Sequence, residues 1–314
     1  MRNIGTSATA GLREEIERLG RRARGTFGLS AVHLQSGSAF ALRDDLQFPL
    51  ASTYKVPIAV VVLAYIDRGD FSQNQMLMIE PREWVAGGPI GTYLRPGEAA
   101  LSVHSLLELM LIESDNSATD TLMRTVGGPA KITAELRALG IEDITIDRPT
   151  SGIIQDGYAI SFPSEPNERI AFFRERLLEN GNPDPPEAAR RYDADRRDQG
   201  TPAAMTTILQ RLYRRDPHLI SEGSVEVLFS IMERCKTGVR RIRGNLPVGT
   251  RVYDKTGTFG GTTNDVGIVE LPNGAGAFAL SVYIRGAQVT MHESESVIAE
   301  IARAVFDYYL LVGQ

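Results

Sequence analysis

Ser52 and Lys55 stand in the stretch Leu50-Ala51-Ser52-Thr53-Tyr54-Lys55-Val56-Pro57, directly ahead of the apolar run Ile58 to Ala64. If a helix begins near Ser52, three residues turn it through about 300°, so the serine and lysine side chains lie next to each other on one face. A serine hydroxyl is a poor nucleophile at neutral pH unless a neighbour takes its proton. An amine whose charge is disfavoured by burial or by other cations can do so. The chemistry open to such a pair is acyl transfer through a serine ester. The same tetrad also fits a plainer reading, in which Ser52 caps the helix and Lys55 is a solvated surface lysine.

Two further short motifs supply the groups such a reaction needs. Ser114-Asp115-Asn116 falls between two expected helices, and Lys255-Thr256-Gly257 falls where a strand is expected to begin. Each is weak alone.

The elements that must position them can be read from periodicity and punctuation. Leu12, Ile16 and Leu19 form a helical stripe, and Thr26 to Leu34 and Ser38 to Leu42 alternate like paired strands around Gln35-Ser36-Gly37. After the Ser52 helix comes a loop-rich segment, Asp67 to Ala100. Helices are expected over Val103 to Ile112, Ser117 to Val126 and Pro129 to Leu139, separated by Gly127-Gly128 and Gly140. Ile144 to Arg148 reads as a short extended piece. It leads into a long irregular region reaching Thr201, with a helix expected over Asn167 to Asn180 and a charged run, Arg190 to Asp198, that reads as a solvated face. Helices then follow over Thr201 to Arg214 and Ser224 to Met232. Strands are expected at Val252 to Tyr253, Asn264 to Glu270 and Ala277 to Ile284, and a closing helix over Glu293 to Leu311.

Strands thus lie at both ends of the chain with helices between. The expected fold class is α+β: one antiparallel sheet flanked by the terminal helices, plus a helical domain, with a cleft between the two. The boundaries expected are residues 1–50 and 217–314 for a discontinuous α/β domain, and 51–216 for the helical domain with a loop at about 149–200.

Composition narrows the function classes. The chain has 314 residues, 42% of them hydrophobic, and a net charge of -5 from 34 basic and 39 acidic residues, which gives no general attraction to nucleic acid or anionic membranes. The four histidines are scattered, and the single cysteine, Cys235, excludes an intrachain disulfide and a cysteine-rich metal site. No metal and no cofactor is expected. The N-terminus lacks an uninterrupted apolar signal core, so the chain as written reads as cytoplasmic, or as periplasmic or secreted if a signal has been removed. A monomer is expected.

Taken together and in this order, Ser52-x-x-Lys55, Ser114-Asp115-Asn116 and Lys255-Thr256-Gly257 resemble the three signatures of class A β-lactamases and penicillin-binding proteins. The resemblance extends to Tyr93-Leu94-Arg95-Pro96-Gly97, Gly127-Gly128-Pro129, Asp195 to Asp198 with Thr201 to Met205, Thr237-Gly238, Arg241-Ile242-Arg243 and Asn264 to Gly267. It implies a serine hydrolase acting on a small β-lactam or a related amide or ester. Ser52 would attack the carbonyl with help from Lys55. Ser114 would pass a proton to the leaving nitrogen, with Lys255 holding that hydroxyl and the substrate's charge. Asn116 would donate to a substrate amide, and the amides of Ser52 and Thr258 would form the oxyanion hole. Thr256 and Gly257 would line the substrate site, with Tyr93 beside it. Thr256, with Arg241 reaching across, is the expected clamp for a substrate carboxylate; Val266 stands where the family often has a basic residue, which makes Arg241 the expected cation, its alternative being a surface salt-bridge arginine.

One expected part is missing. The family's deacylating glutamate, followed four residues later by an asparagine, should come after Asp147-Arg148, but Thr150 occupies its place. Glu187, in the expanded loop, is the candidate replacement base; its alternative is a solvated residue beside Pro185-Pro186. Three activities follow from the resemblance: a β-lactamase with rebuilt deacylation, a related esterase, amidase, D-peptidase or acyltransferase, or a protein that is acylated by β-lactams without turnover.

Overall fold

The computed structural model describes residues 2–94, 99–165, 167–169, 171–172, 175 and 186–312, with side chains from residue 8 onward. Strands β1 (Thr26–His33), β2 (Ala39–Leu42), β7 (Val252–Phe259), β8 (Thr262–Glu270) and β9 (Ala277–Arg285) form an antiparallel sheet in the order β2-β1-β9-β8-β7. Two small pairs accompany it: β3 (Phe48–Pro49) with β6 (Gln199–Gly200), and β4 (Met76–Met78) with β5 (Ala100–Ser102). The central strands β8 and β9 are buried at eight successive positions each, as expected where a sheet is covered on both faces.

Helices α1 (Arg2–Arg21) and α11 (Met291–Val312) cover one face, where Leu12, Ile16 and Leu19 meet Val297, Ile301 and Val305 over Leu29, Phe278 and Leu280. The other face packs against the helical body. This body comprises α2 (Lys55–Asp67), α3 (Pro89–Tyr93), α4 (Val103–Ile112), α5 (Asn116–Thr125), α6 (Pro129–Ala138), α7 (Thr150–Tyr158), α8 (Pro186–Ala194), α9 (Pro202–Tyr213) and α10 (Glu222–Met232). At its centre, α2 is apolar all round and Val56 through Leu63 is buried, the pattern of a helix with neighbours on every side. A continuous apolar cluster joins α2, α4, α9 and α10 to Val266, Ile268, Ala279 and Tyr283 of the sheet. Helix α9, expected with the helical domain, sits directly on β1 and β9.

Three expectations need correction. Strand β7 runs through Lys255-Thr256-Gly257 to Phe259 and does not merely begin there. The Arg190–Asp198 run is no solvated face: Tyr192 and Asp198 are buried. Ser52 lies in a short 3-10 turn, Ala51–Tyr54, and α2 begins only at Lys55; neither has a side-chain cap, so the capping alternative for Ser52 fails. The helix expected over Asn167 to Asn180 falls largely outside the described residues. Among the described residues no helix is long and apolar enough to cross a membrane.

Candidate active site

The turn carrying Ser52 is held from several directions. Ala51 adopts φ 45°, a left-handed conformation that costs a non-glycine residue about 1–3 kcal/mol unless its surroundings enforce it. Here the Tyr192 hydroxyl accepts the Ala51 N–H at 2.9 Å, and Asn264 Nδ2 donates to the carbonyls of Pro49 (2.8 Å) and Leu50 (3.1 Å). Both anchoring side chains are buried, Asn264 completely. The turn packs on β7, the edge strand of the sheet, at Gly257. A Cβ at that position would stand 2.7 Å from the Leu50 carbonyl oxygen and 3.0 Å from the Thr53 nitrogen. Only glycine lets the strand approach so closely, which places Thr258 and Ser52 on a shared cavity wall.

Lys55 is fully buried, which dismisses the surface-lysine alternative. Its Nζ donates to Ser114 O (2.8 Å), Ser114 Oγ (3.2 Å) and Asn116 Oδ1 (2.9 Å). Lys255, also fully buried, donates from Nζ to the same Ser114 Oγ at 2.9 Å and to Thr256 O at 2.8 Å. Burial, then the nearby Lys255 ammonium, pushes the Lys55 amine well below the ordinary lysine range. Burial, with Arg241 as a further cation, draws Lys255 down to about 8. Two lysines on one hydroxyl oxygen leave the Ser114 O–H free to donate elsewhere. Ser114 itself is left-handed, φ 58°, while Asp115 caps α5 by accepting from Ala118 N at 2.9 Å and also receives the Ile90 N–H at 2.8 Å. Asn116 Nδ2 donates to Ala86 O at 2.9 Å, and Thr256 Oγ1 lies 2.6 Å from Thr237 Oγ1.

The structure therefore brings together Ser52, Lys55, Ser114, Asn116, Lys255, Thr256, Gly257 and Thr258. Three expected members do not line the cavity over Ser52. Arg241 is buried: its Nε pairs with Glu295 at 3.2 Å, Nη1 donates to Gly257 O (3.0 Å) and Asn264 O (2.8 Å), and Nη2 to Thr258 Oγ1 (2.6 Å). With its charge matched by Glu295, it braces the edge of β7 and is not an open clamp. Tyr93 ends α3 with 79% of its surface exposed and is absent from the cavity wall. Glu187, in the first turn of α8, turns to solvent and bonds Arg191 at 3.4 Å one helical turn away.

A cavity of about 230 Å³ opens over Ser52, bounded by Tyr54, Gly87, Asn116, Thr150, Ile153, Ile154, Tyr158, Tyr192, Thr258 and Phe259 among others. Among the described residues no carboxylate lines it. Thr150 Oγ1 is hydrogen-bonded to the Tyr54 hydroxyl, and the Thr150 and Ser151 amides are fixed on Asp120 at 2.6 and 3.0 Å. The loop neck is closed by Arg148, whose Nε donates to Asp198 at 2.7 Å and Nη1 to Asp195 at 2.9 Å.

Tyr192, Asn264, Thr237 and Asp120 were not singled out as site residues from sequence. Asn264 left a trace, an amide ahead of an apolar strand; Tyr192 was masked by the charges around it.

Known proteins resemble this chain over nearly its whole length. The profile described as the beta-lactamase enzyme family matches residues 11–309. Beta-lactamase VEB-1 of Pseudomonas aeruginosa is 28% identical, covering 96% of this chain and 91% of the relative. An imipenem-hydrolyzing beta-lactamase of Enterobacter cloacae is also 28% identical, covering 94% and 88%. Among solved structures, an ancestral class A beta-lactamase superposes with a TM-score of 0.77 at 31% identity, covering 94% of this chain and 99% of that one. A beta-lactamase from Chitinophaga pinensis gives 0.75 at 27%, covering 95% and 98%.

Proposed function

Because the chain belongs to the beta-lactamase enzyme family, we propose that it opens β-lactams through a Ser52 ester and that this ester is hydrolysed slowly. Acylation draws on the groups already in place. In its deprotonated form, which burial and the Lys255 charge favour, the Lys55 amine gives up one of its three contacts, turns its lone pair to the Ser52 hydroxyl and takes the proton as Oγ attacks the carbonyl. The oxyanion forms against the Ser52 and Thr258 amides, a contribution typically worth two to three powers of ten in rate, about 3–4 kcal/mol. Ser114 passes its proton to the leaving nitrogen and recovers one through the lysines that hold its oxygen. Lys255 attracts a carboxylate on the leaving side, with the hydroxyls of Thr256 and Thr237 beside it.

The observation that carries the slow second step is the cavity wall over Ser52. It holds Thr150 and Ile154 at the places where the resemblance calls for a glutamate and an asparagine, and among the described residues no carboxylate. Among the described residues, water entering there meets no carboxylate, and the Thr150 hydroxyl is engaged by Tyr54.

Incubation with benzylpenicillin followed by intact-protein mass spectrometry tests this. A mass gain of one whole substrate, persisting after excess drug is removed and absent in Ser52→Ala, is expected. Rapid substrate loss without any adduct would remove the slow step. If β-lactams leave no adduct and are not consumed while a nitrophenyl ester acylates Ser52, the substrate is another ester or amide.

A further inference from the structure

Asp120 is a buried carboxylate that the acylation chemistry does not use. It lies on α5, one helical turn after Asn116, and accepts the amides of Thr150 (2.6 Å) and Ser151 (3.0 Å) at the start of α7. Hydrogen bonds from the Thr150 and Ser151 side chains reach the same carboxylate. Thr150 Oγ1 is bonded to the Tyr54 hydroxyl as well, an arrangement in which either oxygen could donate. The carboxylate settles the direction. An ionised carboxylate only accepts, so the Thr150 O–H points to Asp120 and the Tyr54 O–H points to Thr150. A threonine oxygen has two lone pairs and Tyr54 takes one. The second remains for a water in the cavity over Ser52, whose wall Thr150 helps to form.

Asp120 does not line that cavity. It lines a second one, of about 390 Å³, with Glu83, Arg124, Pro149 and Ser151. Thr150 thus stands between the Ser52 ester and a carboxylate that opens on the far side of the wall. Burial raises the proton affinity of Asp120 above that of an ordinary carboxylate, which suits it to hold a proton briefly. The groups that face it are Tyr54 and Lys55 where the Ser52 turn joins α2, Arg82 and Glu83 of the Pro81–Glu83 turn, Arg124 on its own helix and Arg169 of the expanded loop.

We propose that Thr150 and Asp120 form a proton relay for hydrolysis of the Ser52 ester, in which Thr150 touches the attacking water and Asp120 acts through Thr150. This rests on the Ser52 acylation reading and gives its slow second step a route. The water oxygen forms a bond to the ester carbonyl carbon as one of its O–H bonds breaks; that proton passes to Thr150 Oγ1 while the Thr150 proton passes to Asp120. When the bond from the carbonyl carbon to Ser52 Oγ then breaks, Oγ takes a proton delivered from solvent through Lys55, and Asp120 releases its own into the second cavity. One water is consumed and the proton count closes. A neutral hydroxyl between water and carboxylate makes a weaker base than a carboxylate in direct contact, so the ester is hydrolysed, but slowly.

Benzylpenicillin adducts, freed of excess drug and followed by intact mass from about pH 5 to 8, give the deacylation constant. Only ionised Asp120 accepts a proton, so this constant should fall as pH falls through the raised pKa of that carboxylate. Thr150→Val keeps the shape and removes the hydroxyl. It should slow deacylation by about ten- to a hundred-fold, the low end of what a positioned base contributes, and abolish the pH limb. The acylation constant should change by less than about threefold. Asp120→Asn should behave alike, Thr150→Ser should retain both rate and limb, and cooperative thermal melts verify folding. A limb contributed by Lys55 would persist in the Val and Asn variants. Deacylation at the wild-type rate in Thr150→Val, a limb retained there, an equal loss of acylation, or a wild-type adduct that never decays overturns the relay and leaves Ser52 acylation standing. Absence of any adduct with no drug consumed overturns both.

Discussion

Two buried lysines meet at the Ser114 hydroxyl, and their separate roles predict separate pH behaviour. Lys255, held at about 8, keeps its charge below that pH and loses it above. Acylation by a carboxylate-bearing β-lactam should therefore decline as pH rises through about 8, and acylation by a neutral ester should not show that limb. A pH profile of the acylation constant, flat to pH 10 for the anionic substrate, would contradict this role. Gly257 offers a steric counterpart. Gly257→Ala should push β7 off the Ser52 turn and lower acylation by about two to three powers of ten, the cost of misplaced oxyanion donors, while leaving a cooperative melt. Loss of less than threefold would show that the turn accommodates the methyl group. At this scale Ser52, Lys55, Ser114 and Lys255, which the fold brings together, were legible in the sequence, because their spacings and flanks form a joint pattern. It was silent on partnership: Arg241 carries the right charge at the right position, but Glu295, 54 residues on, neutralises it.

The helices and the sheet were legible wherever burial followed one period, as in β8, β9 and α4. Strand β7 was foreshortened to Val252 and Tyr253, whereas it continues through Lys255-Thr256-Gly257 to Phe259, with Gly257 permitting close approach of the Ser52 turn. The charged run misled for another reason. Asp195 and Asp198 face Arg148, about 50 residues upstream, and such pairing leaves no local periodicity. Their ion pair closes the neck of the expanded loop, with Asp198 buried and the Arg148 side chain nearly so. Arg148→Ala would strand a buried carboxylate, a loss typically worth about 3–5 kcal/mol. Urea unfolding should register a destabilisation of that order, together with loosening of α7 and α8 in hydrogen exchange. A change below about 1 kcal/mol would mean that the neck is held by other contacts.

Across the whole molecule, the proposed slow hydrolysis of the Ser52 ester turns on one cavity wall. The residues proposed to form the ester come from the junction of sheet and helical body. The wall that would supply a water base comes from the expanded loop, and there the residues are Thr150 and Ile154. Installing the absent pair, Thr150→Glu with Ile154→Asn, should raise steady-state turnover by about a hundredfold or more, the usual contribution of a positioned general base. An unchanged rate would place the barrier elsewhere, in the geometry of the ester or in release of the product. The most direct measurement is stopped-flow absorbance with the chromogenic β-lactam nitrocefin at enzyme concentrations comparable to substrate. We predict a fast burst of about one opened ring per chain followed by a much slower linear phase, with the burst lost in Ser52→Ala. Linear turnover from the first instant at a high rate, with no burst and no trapped adduct, would contradict the account.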